Sequence, residues 1–366
     1  MSKPIEEILH FENIIATIEA VKRGVPEGII PDAMFRPTKS FLGNVGYYFK
    51  VTSTRQVAQA VMYGSPSKAV KMAGVSKVPV TLLHAYEHFD HDPNLVAVLK
   101  STDDTIQQMG AQEVGRQAGE FTKRFLNLRK AAWYCALSKG KIYLDDEGNL
   151  LNSSKGAAII IDFGVPDGNK NQLNALGKGD IITASWATAT TDIPLQIAGI
   201  QQASAQLTGY RITTAYYGKN IPSYIAKNTA MKEFLKMNPG SNQAVRRGEI
   251  PDGFINLQWR EAYSAFYADK SNVAQQLWDD DMVVFTPDDT DSGWWGFLQG
   301  SYGVPTNIGQ IYGDAMAALN SVRTVFGMFG YAAITHDPVG ICQYGGDTML
   351  PVIAVPKAIF IADVTV

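Results

Sequence analysis

Thr102 to Lys139, TDDTIQQMGAQEVGRQAGEFTKRFLNLRKAAWYCALSK, decides how the rest of the chain is read. It holds no proline, and apolar residues recur at Ile106, Met109, Val114, Ala118, Phe121, Phe125, Leu128, Ala132 and Cys135. Spacings of three and four are the period of one helix face, not of a strand. Thr102, Asp103 and Asp104 offer capping oxygens and negative charge at the start, and Arg129, Lys130 and Lys139 crowd the far end. Both termini suit the helix dipole. Gly110, Gly115 and Gly119 each cost about 1 kcal/mol in a helix interior, so the pattern also fits a core helix kinked near the glycines. Unbroken, it spans about 54 Å, more than the radius of most single cores, and is expected to lie across an extended body as a strut.

Upstream, residues 5–22 read as a short amphipathic helix with Ile8, Phe11, Ile15, Ile18 and Val21 on one side. Three prolines in GVPEGIIPDAMFRP then predict an irregular extended arm. From Gly43 to about His91 the pattern is strand: YYFKVTSTR, turn signals at Gly64-Ser65-Pro66 and Gly74, and the return strand VPVTLLHAYEHF. A two-stranded ribbon is only marginally stable alone, and no obvious neighbour for it stands elsewhere in the chain.

Downstream, KIYLDDEGNLL predicts a hairpin around Glu147-Gly148-Asn149. AAIIIDF reads as a buried strand, GVPDGNKNQLNALGKGD as loop and IITASWA as a second strand. A helix capped by Asp192 follows, with Pro194 in its first turn, Ile197, Ile200, Ala203 and Leu207 buried, and Gly209 as the stop. IPSYIAKNTAMKEFLKMNP and NLQWREAYSAFYADK are further helical candidates, and DMVVFTP is a strand. Beyond Gly293 come strands between glycine-rich turns, the short helical candidate DAMAALNSV, and RTVFGMFGYAAITHDP. The end, LPVIAVPKAIFIADV, is too apolar for a tail and is expected in a sheet.

Of the 366 residues 46% are hydrophobic and 18% charged, with 16 Tyr, 16 Phe and 6 Trp; so little charge suggests a surface largely covered, by other copies among the candidates. A net charge of -3 without a Lys/Arg cluster gives no field attractive to nucleic acid. Two glutamates stand where a signal peptide needs its apolar core, and no apolar run reaches membrane-spanning length, so neither secretion nor a membrane span is expected. Cys135 and Cys342 alone cannot form a disulfide framework and fit a reducing compartment.

Chemistry concentrates in LLHAYEHFDHDP, which carries His84, Glu87, His88, Asp90, His91 and Asp92. On a helix His84 and His88 would share a face, as in zinc sites. Pro79 and TLL favour a strand, with His84 and His88 on one side and His91 on the other. The readings left are a solvated strand end, a bound metal, or catalysis. Asp162 fits a carboxylate that caps the turn after its strand better than a catalytic group. Asp279, Asp280, Asp281, Asp288, Asp289 and Asp291 lack a calcium-loop pattern and read as solvated turns. Gly327, Gly330 and the YGGD at Tyr344–Asp347 are isolated glycines, not a dinucleotide fingerprint. No active site assembles from these pieces, and no cofactor is expected.

In order, FTKRFLNLRKAAWYCALSKGKI, AAIIIDFG with Asp162, Phe163 and Gly164, then Trp186, Asp192, Pro194, Thr208 and Gly209, form one pattern. With the closing DPVGICQYGGDTMLPVIAVP, it resembles the lambda-type major capsid protein E family of tailed bacteriophages. The resemblance runs from about Asp104 to the C-terminus; Asp289-Thr290-Asp291 has no counterpart in it. It implies an α+β, HK97-like capsid fold. The implied layout is an N-terminal arm at 1–38 and an extended hairpin, the E-loop, at 39–92. Peripheral-domain elements with the spine helix and a β-hairpin follow at 93–185, an axial domain at 186–320, and returning strands of the peripheral and axial core at 321–366.

The implied function is structural: self-assembly as pentamers and hexamers into an icosahedral head shell of the virion, built in the host cytoplasm. The shell encloses double-stranded DNA without sequence-specific binding. A separate scaffolding protein is expected, because few residues precede the arm, together with a portal protein; a decoration protein is left open. Lys68, Lys71 and Lys77 lie in the hairpin, where solvated lysines are commonplace, so covalent crosslinking is not expected. The alternatives are an encapsulin-like shell and a metal-dependent enzyme using His84, His88 and a nearby carboxylate.

Overall fold

The computed structural model describes residues 11–24, 30–52, 74–171, 182–232, 249–250, 254–262, 266–268, 274–305, 322–336 and 339–365. The first described element, α1 (Phe11–Gly24), turns Ile14 and Ile18 into the core and leaves Ile15 half-buried. Ile18 is buried as expected and Ile15 packs on the same core, with Ile14 added to the face; Ile8, the start of that helix and the side chains of Phe11 and Val21 lie outside the description. Strand β1 (Lys39–Phe41) leads into β2 (Val45–Val51) and β3 (Val75–Thr81), which pair antiparallel from Val45↔Thr81 to Val51↔Val75. Gly64-Ser65-Pro66, Lys68 and Lys71 fall outside the description. Lys77 lies 3.9 Å from the Tyr47 ring centroid and Lys39 4.4 Å from that of Phe49, so both ammonium groups cover aromatic faces of this ribbon.

The return strand does not continue as ribbon. At the buried Leu82 it changes partner, and β4 (Leu83–His91) joins the main sheet of its own chain. The expectation that no internal neighbour exists is therefore corrected for residues 83–91. It fails because the partner, near the C-terminus, is rich in glycine and does not read as a strand with a long apolar face.

A short helix, α2 (Pro93–Leu99), capped by Asp92, precedes α3 (Asp104–Lys139). The Asp103 carboxylate accepts from the amides of Thr105 and Ile106, and Gly140 closes the helix in the left-handed region at φ 65°. The helix runs unbroken through its three glycines. Gly110 is where α2 crosses: a Cβ there would lie 3.0 Å from Val98 and Leu99. Val114, Ala118, Phe121, Phe125, Ala132 and Cys135 are buried as their spacing predicts. Ile106 and Met109 are exposed instead, at 42% and 64%, and Leu128 is half-buried. From Ala131 to Ser138 every residue is buried, so this end is enclosed all round.

Next come β5 (Lys141–Leu144), β6 (Leu150–Leu151), β7 (Ile159–Asp162) and β8 (Lys170–Asn171). The hairpin forms as read, with the Asp145 carboxylate accepting from the amides of Glu147 and Asn149. AAIIIDF is a strand but not a buried one. It is the edge of a three-stranded sheet, with Ile159 and Ile160 about half exposed. Residues 182–186 are not a strand, although Ile182 and Trp186 are buried there.

Helix α4 (Ile193–Thr208) has the Asp192 cap and the Gly209 stop, at φ 84°. Ile197 and Ile200 are buried, Ala203 is half-buried, and Leu207 is exposed. Strand β9 (Thr214–Tyr217) leads to α5 (Ile221–Lys227), which stops at Asn228; residues 229–232 are helical again. NLQWREAYSAFYADK is not a helix. It contributes β10 (Gln258–Glu261) and β11 (Phe266–Ala268), followed by β12 (Ala274–Gln276) and β13 (Met282–Thr286). Ile255 and Asn256 sit at positive φ, which breaks a helix before it starts.

The remaining strands are β14 (Trp295–Pro305), β15 (Val322–Phe326), β16 (Phe329–His336), β17 (Val339–Ile353) and β18 (Phe360–Asp363). DAMAALNSV falls mainly in 306–321, outside the description. Two sheets carry the fold. One runs β1-β14-β17-β16, with β15 on β14 and β4 on β17, and packs on α1 and α3. The other runs β10-β9-β13-β18-β8 and shares a core with α4 and α5. The apolar chain end is tied into this second sheet, as expected.

Candidate functional site

Strand β17 separates two chemically different faces of the main sheet. Gln343, Gly345, Asp347 and Met349 point toward α3, and Cys342, Tyr344, Gly346 and Thr348 point away, by the period of two. On the helix side, Arg129 donates through Nε and Nη2 to both carboxylate oxygens of Asp347, at 2.6 and 2.7 Å. The two side chains are 6% and 0% exposed, and the guanidinium carbon lies 5.2 Å from the Phe297 ring centroid. Arg129, read from sequence as an end charge, is a buried clamp on the sheet. A Cβ on Gly345 would lie 3.0 Å from Phe121, and one on Gly346 2.4 Å from Phe329. The YGGD glycines thus serve close packing on both faces.

The outer face carries an aromatic ladder. The rings of Tyr302 and Phe329 stack at 4.5 Å, Tyr331 and Tyr344 at 4.9 Å, and Tyr86 and Tyr344 at 5.8 Å. The Tyr86 and Tyr331 hydroxyls are hydrogen-bonded; burial, then this bond, pushes the Tyr86 hydroxyl well above its usual value. The His84 ring stacks on Tyr302, and its Nδ1 pairs with the Thr348 hydroxyl at 2.7 Å. Burial lowers the His84 and His91 pKa values. His91 faces the helix side and meets Gln343. Because β4 is extended, His84 and His88 lie about 13 Å apart along it. They cannot hold one ion as a helical pair would, and the enzyme reading loses its geometric basis.

Asp162 does cap its turn: it accepts from the Gly164 amide at 2.7 Å and pairs with Lys141 at 2.8 Å. Burial pushes its carboxyl up, but Lys141 and the Gly164 amide together hold it below the usual carboxylate range. Asp289 is corrected from a solvated turn to a buried group. It accepts from the Tyr216 hydroxyl at 2.7 Å and lies 3.2 Å from Nε of Arg260. Burial pushes it up to about 6. The loop around it is held by the Trp294 and Trp295 indoles, which donate to the carbonyls of Asp288 and Asp289. A recess lined by Ile14, Ile18, Phe121 and Gln343 has a cavity volume of only about 10 Å³, far below the roughly 300–1,000 Å³ of ligand pockets.

Apolar side chains reach solvent at several separate places. Leu42, Val45, Phe49 and Val75 lie along and beside the ribbon, Ile159 and Ile160 on β7, and Leu195 and Leu207 on α4. Ile106 and Met109 mark the start of α3, and Val322 and Phe326 lie on β15. No described helix is long and apolar enough to cross a membrane.

The profile of a family described as phage major capsid protein E matches residues 11–363. No curated protein sequence matches the chain. Among solved structures, it is similar to the putative capsid protein of a prophage from E. coli CFT073, at 13% identity and a TM-score of 0.54. The likeness covers 97% of this chain and 99% of that one. A phage-related protein from Bordetella bronchiseptica RB50 follows, at 9% identity and a TM-score of 0.48, over 96% of this chain and 97% of that one.

Proposed function

Because the chain belongs to the phage major capsid protein E family, we propose that its copies close, as pentamers and hexamers, into an icosahedral head around double-stranded DNA. It is a structural protein of the head shell, with an HK97-like fold. What carries the finer reading is the distribution of exposed apolar side chains. Ribbon, edge strand and both long helices each present some, in separate places. A subunit enclosed by neighbours on several sides needs such a distribution; a monomer does not.

The layout is the one that the family resemblance implies. Residues 1–38 form an arm, and the ribbon reaches a neighbouring subunit as the E-loop. The helix at 104–139 is the spine, and the second sheet with α4 and α5 lies in the axial domain. A separate scaffolding protein and a portal protein are partners during assembly in the host cytoplasm, and a decoration protein is a third candidate. No catalytic step is assigned. The net charge of -3 suits a wall that encloses DNA without gripping it.

Negative-stain images of the purified protein test the proposal. Closed shells, rings of five or six, or tubes are expected. A dispersed monomer or dimer at every concentration and salt tried would overturn it.

A further inference from the structure

We infer that His88, Asp90 and Cys342 form a binding site for a divalent transition-metal ion of the zinc type, which would staple β4 to β17. His88 and Asp90 are two residues apart on β4 and so share the outer face of the sheet. Cys342 stands directly opposite Asp90 in the β4–β17 register. One ligand atom from each of the three lies within 4.8 Å of the others. The sequence pointed to His84 and His88; pairing of distant strands substitutes a carboxylate and a thiol for the second histidine.

The donor set selects the class of ion. One imidazole nitrogen, one carboxylate oxygen and one sulfur suit zinc or cobalt, whereas magnesium and calcium take oxygen. Zinc bonds of about 2.0–2.3 Å place tetrahedral ligands roughly 3.3–3.8 Å apart, so the group must contract by about an ångström. It can do so: the His88 and Asp90 side chains are 56% and 74% exposed, His88 beside the Tyr344 ring at 5.7 Å and Asp90 already hydrogen-bonded to the Cys342 thiol, while Cys342 is held at 2% exposure as a fixed anchor. His84 and His91 are already hydrogen-bonded to Thr348 and Gln343. His88 meets Asp90 only at 3.8 Å, beyond hydrogen-bond range.

Three protein ligands leave a fourth position for water. On binding, the thiol proton leaves to bulk solvent as the metal–sulfur bond forms, with no change of oxidation state. The ion would join the strand that returns from the ribbon to the strand that anchors the sheet.

Titration of the purified, reduced protein with cobalt(II) tests the site. A near-ultraviolet thiolate-to-cobalt charge-transfer band is expected at one ion per chain. C342S should abolish the band although Cys135, which is fully buried, remains. H88N and D90N alter exposed side chains and should fold normally, and each should raise the cobalt concentration at half-saturation by about tenfold or more. The proposal is overturned by the absence of a band in the parent protein, by a band that survives C342S, or by titrations that H88N and D90N leave unchanged. Failure here would leave the shell-forming reading untouched, because particle formation is read independently by microscopy.

Discussion

Arg129 and Asp347 meet through two charge-assisted hydrogen bonds of 2.6 and 2.7 Å, both side chains almost wholly buried. The pair fixes α3 to the middle of β17. Removing one partner leaves an uncompensated charge in the core, which costs about 3–5 kcal/mol. R129A and D347A are therefore each expected to lower the denaturant midpoint of the subunit severely. The double variant R129M/D347L should be less damaging than the sum of the single losses, because neither charge is then left alone. Additive losses in the unfolding experiment would mean that the two groups act separately.

Phe125 is buried against the sheet and stacks with Phe121 at 6.0 Å, whereas Asn127 faces solvent. F125A should cost about 3–5 kcal/mol, and N127A about 0.5 kcal/mol or less. At equal expression, sedimentation should recover far fewer closed particles from F125A. Equal yields and equal melting temperatures would show that the buried face has been misplaced.

Ile159 and Ile160 expose about half of their surface on the edge strand β7. In I160K the side chain sits at a half-exposed position from which its ammonium reaches solvent, so the subunit's stability should shift by about 1 kcal/mol or less. If this edge is covered by a neighbour, I160K should nevertheless reduce particle yield, because a charge would be buried at each repeat of the contact. Circular dichroism of the subunit and sedimentation of the particle separate the two effects. Undiminished particles would remove β7 from the assembly surface.

Asp289 has its folded-state pKa raised to about 6 from an ordinary 3.8. The folded chain therefore holds this proton more tightly than the unfolded chain. The resulting stabilisation is complete below the unfolded value and is lost as pH rises through about 6. Relative to D289N, which cannot titrate, the parent protein should lose on the order of 2 kcal/mol between about pH 4.5 and about pH 7.5. Melting curves of both proteins across that range measure the difference. A constant gap would mean that Tyr216 and Arg260 compensate the charge fully.

Local signals in the sequence were sufficient where the cause of structure is local. Asp103, Asp192, Asp145 and Asp162 all use their carboxylates on nearby amides, as their positions suggest. Spacing alone located Phe121 and Phe125 on the buried face. Errors arose where a distant partner decides. Arg129 looks like a helix-end charge until Asp347 is placed beside it. QWRE has helical residues, but pairing with β9 makes it a strand. Ile159–Ile161 look like core because composition cannot tell a strand covered by its own chain from one left at an edge. His88 and Cys342 belong together only through the β4–β17 register, which no spacing rule reveals.

Strand β17 pairs with β16, β4 and β14, and its Asp347 holds α3. All of this is supplied by residues 339–353, whereas β4 and the helix are made within the first 139. During synthesis the earlier segments must therefore wait, their sheet edge unsatisfied, until residues 339–353 have been made. A chain that terminates early has no middle strand and no counter-charge for Arg129. Presence of this one segment is thereby verified by the fold itself, since both the sheet and the Arg129 contact depend on it.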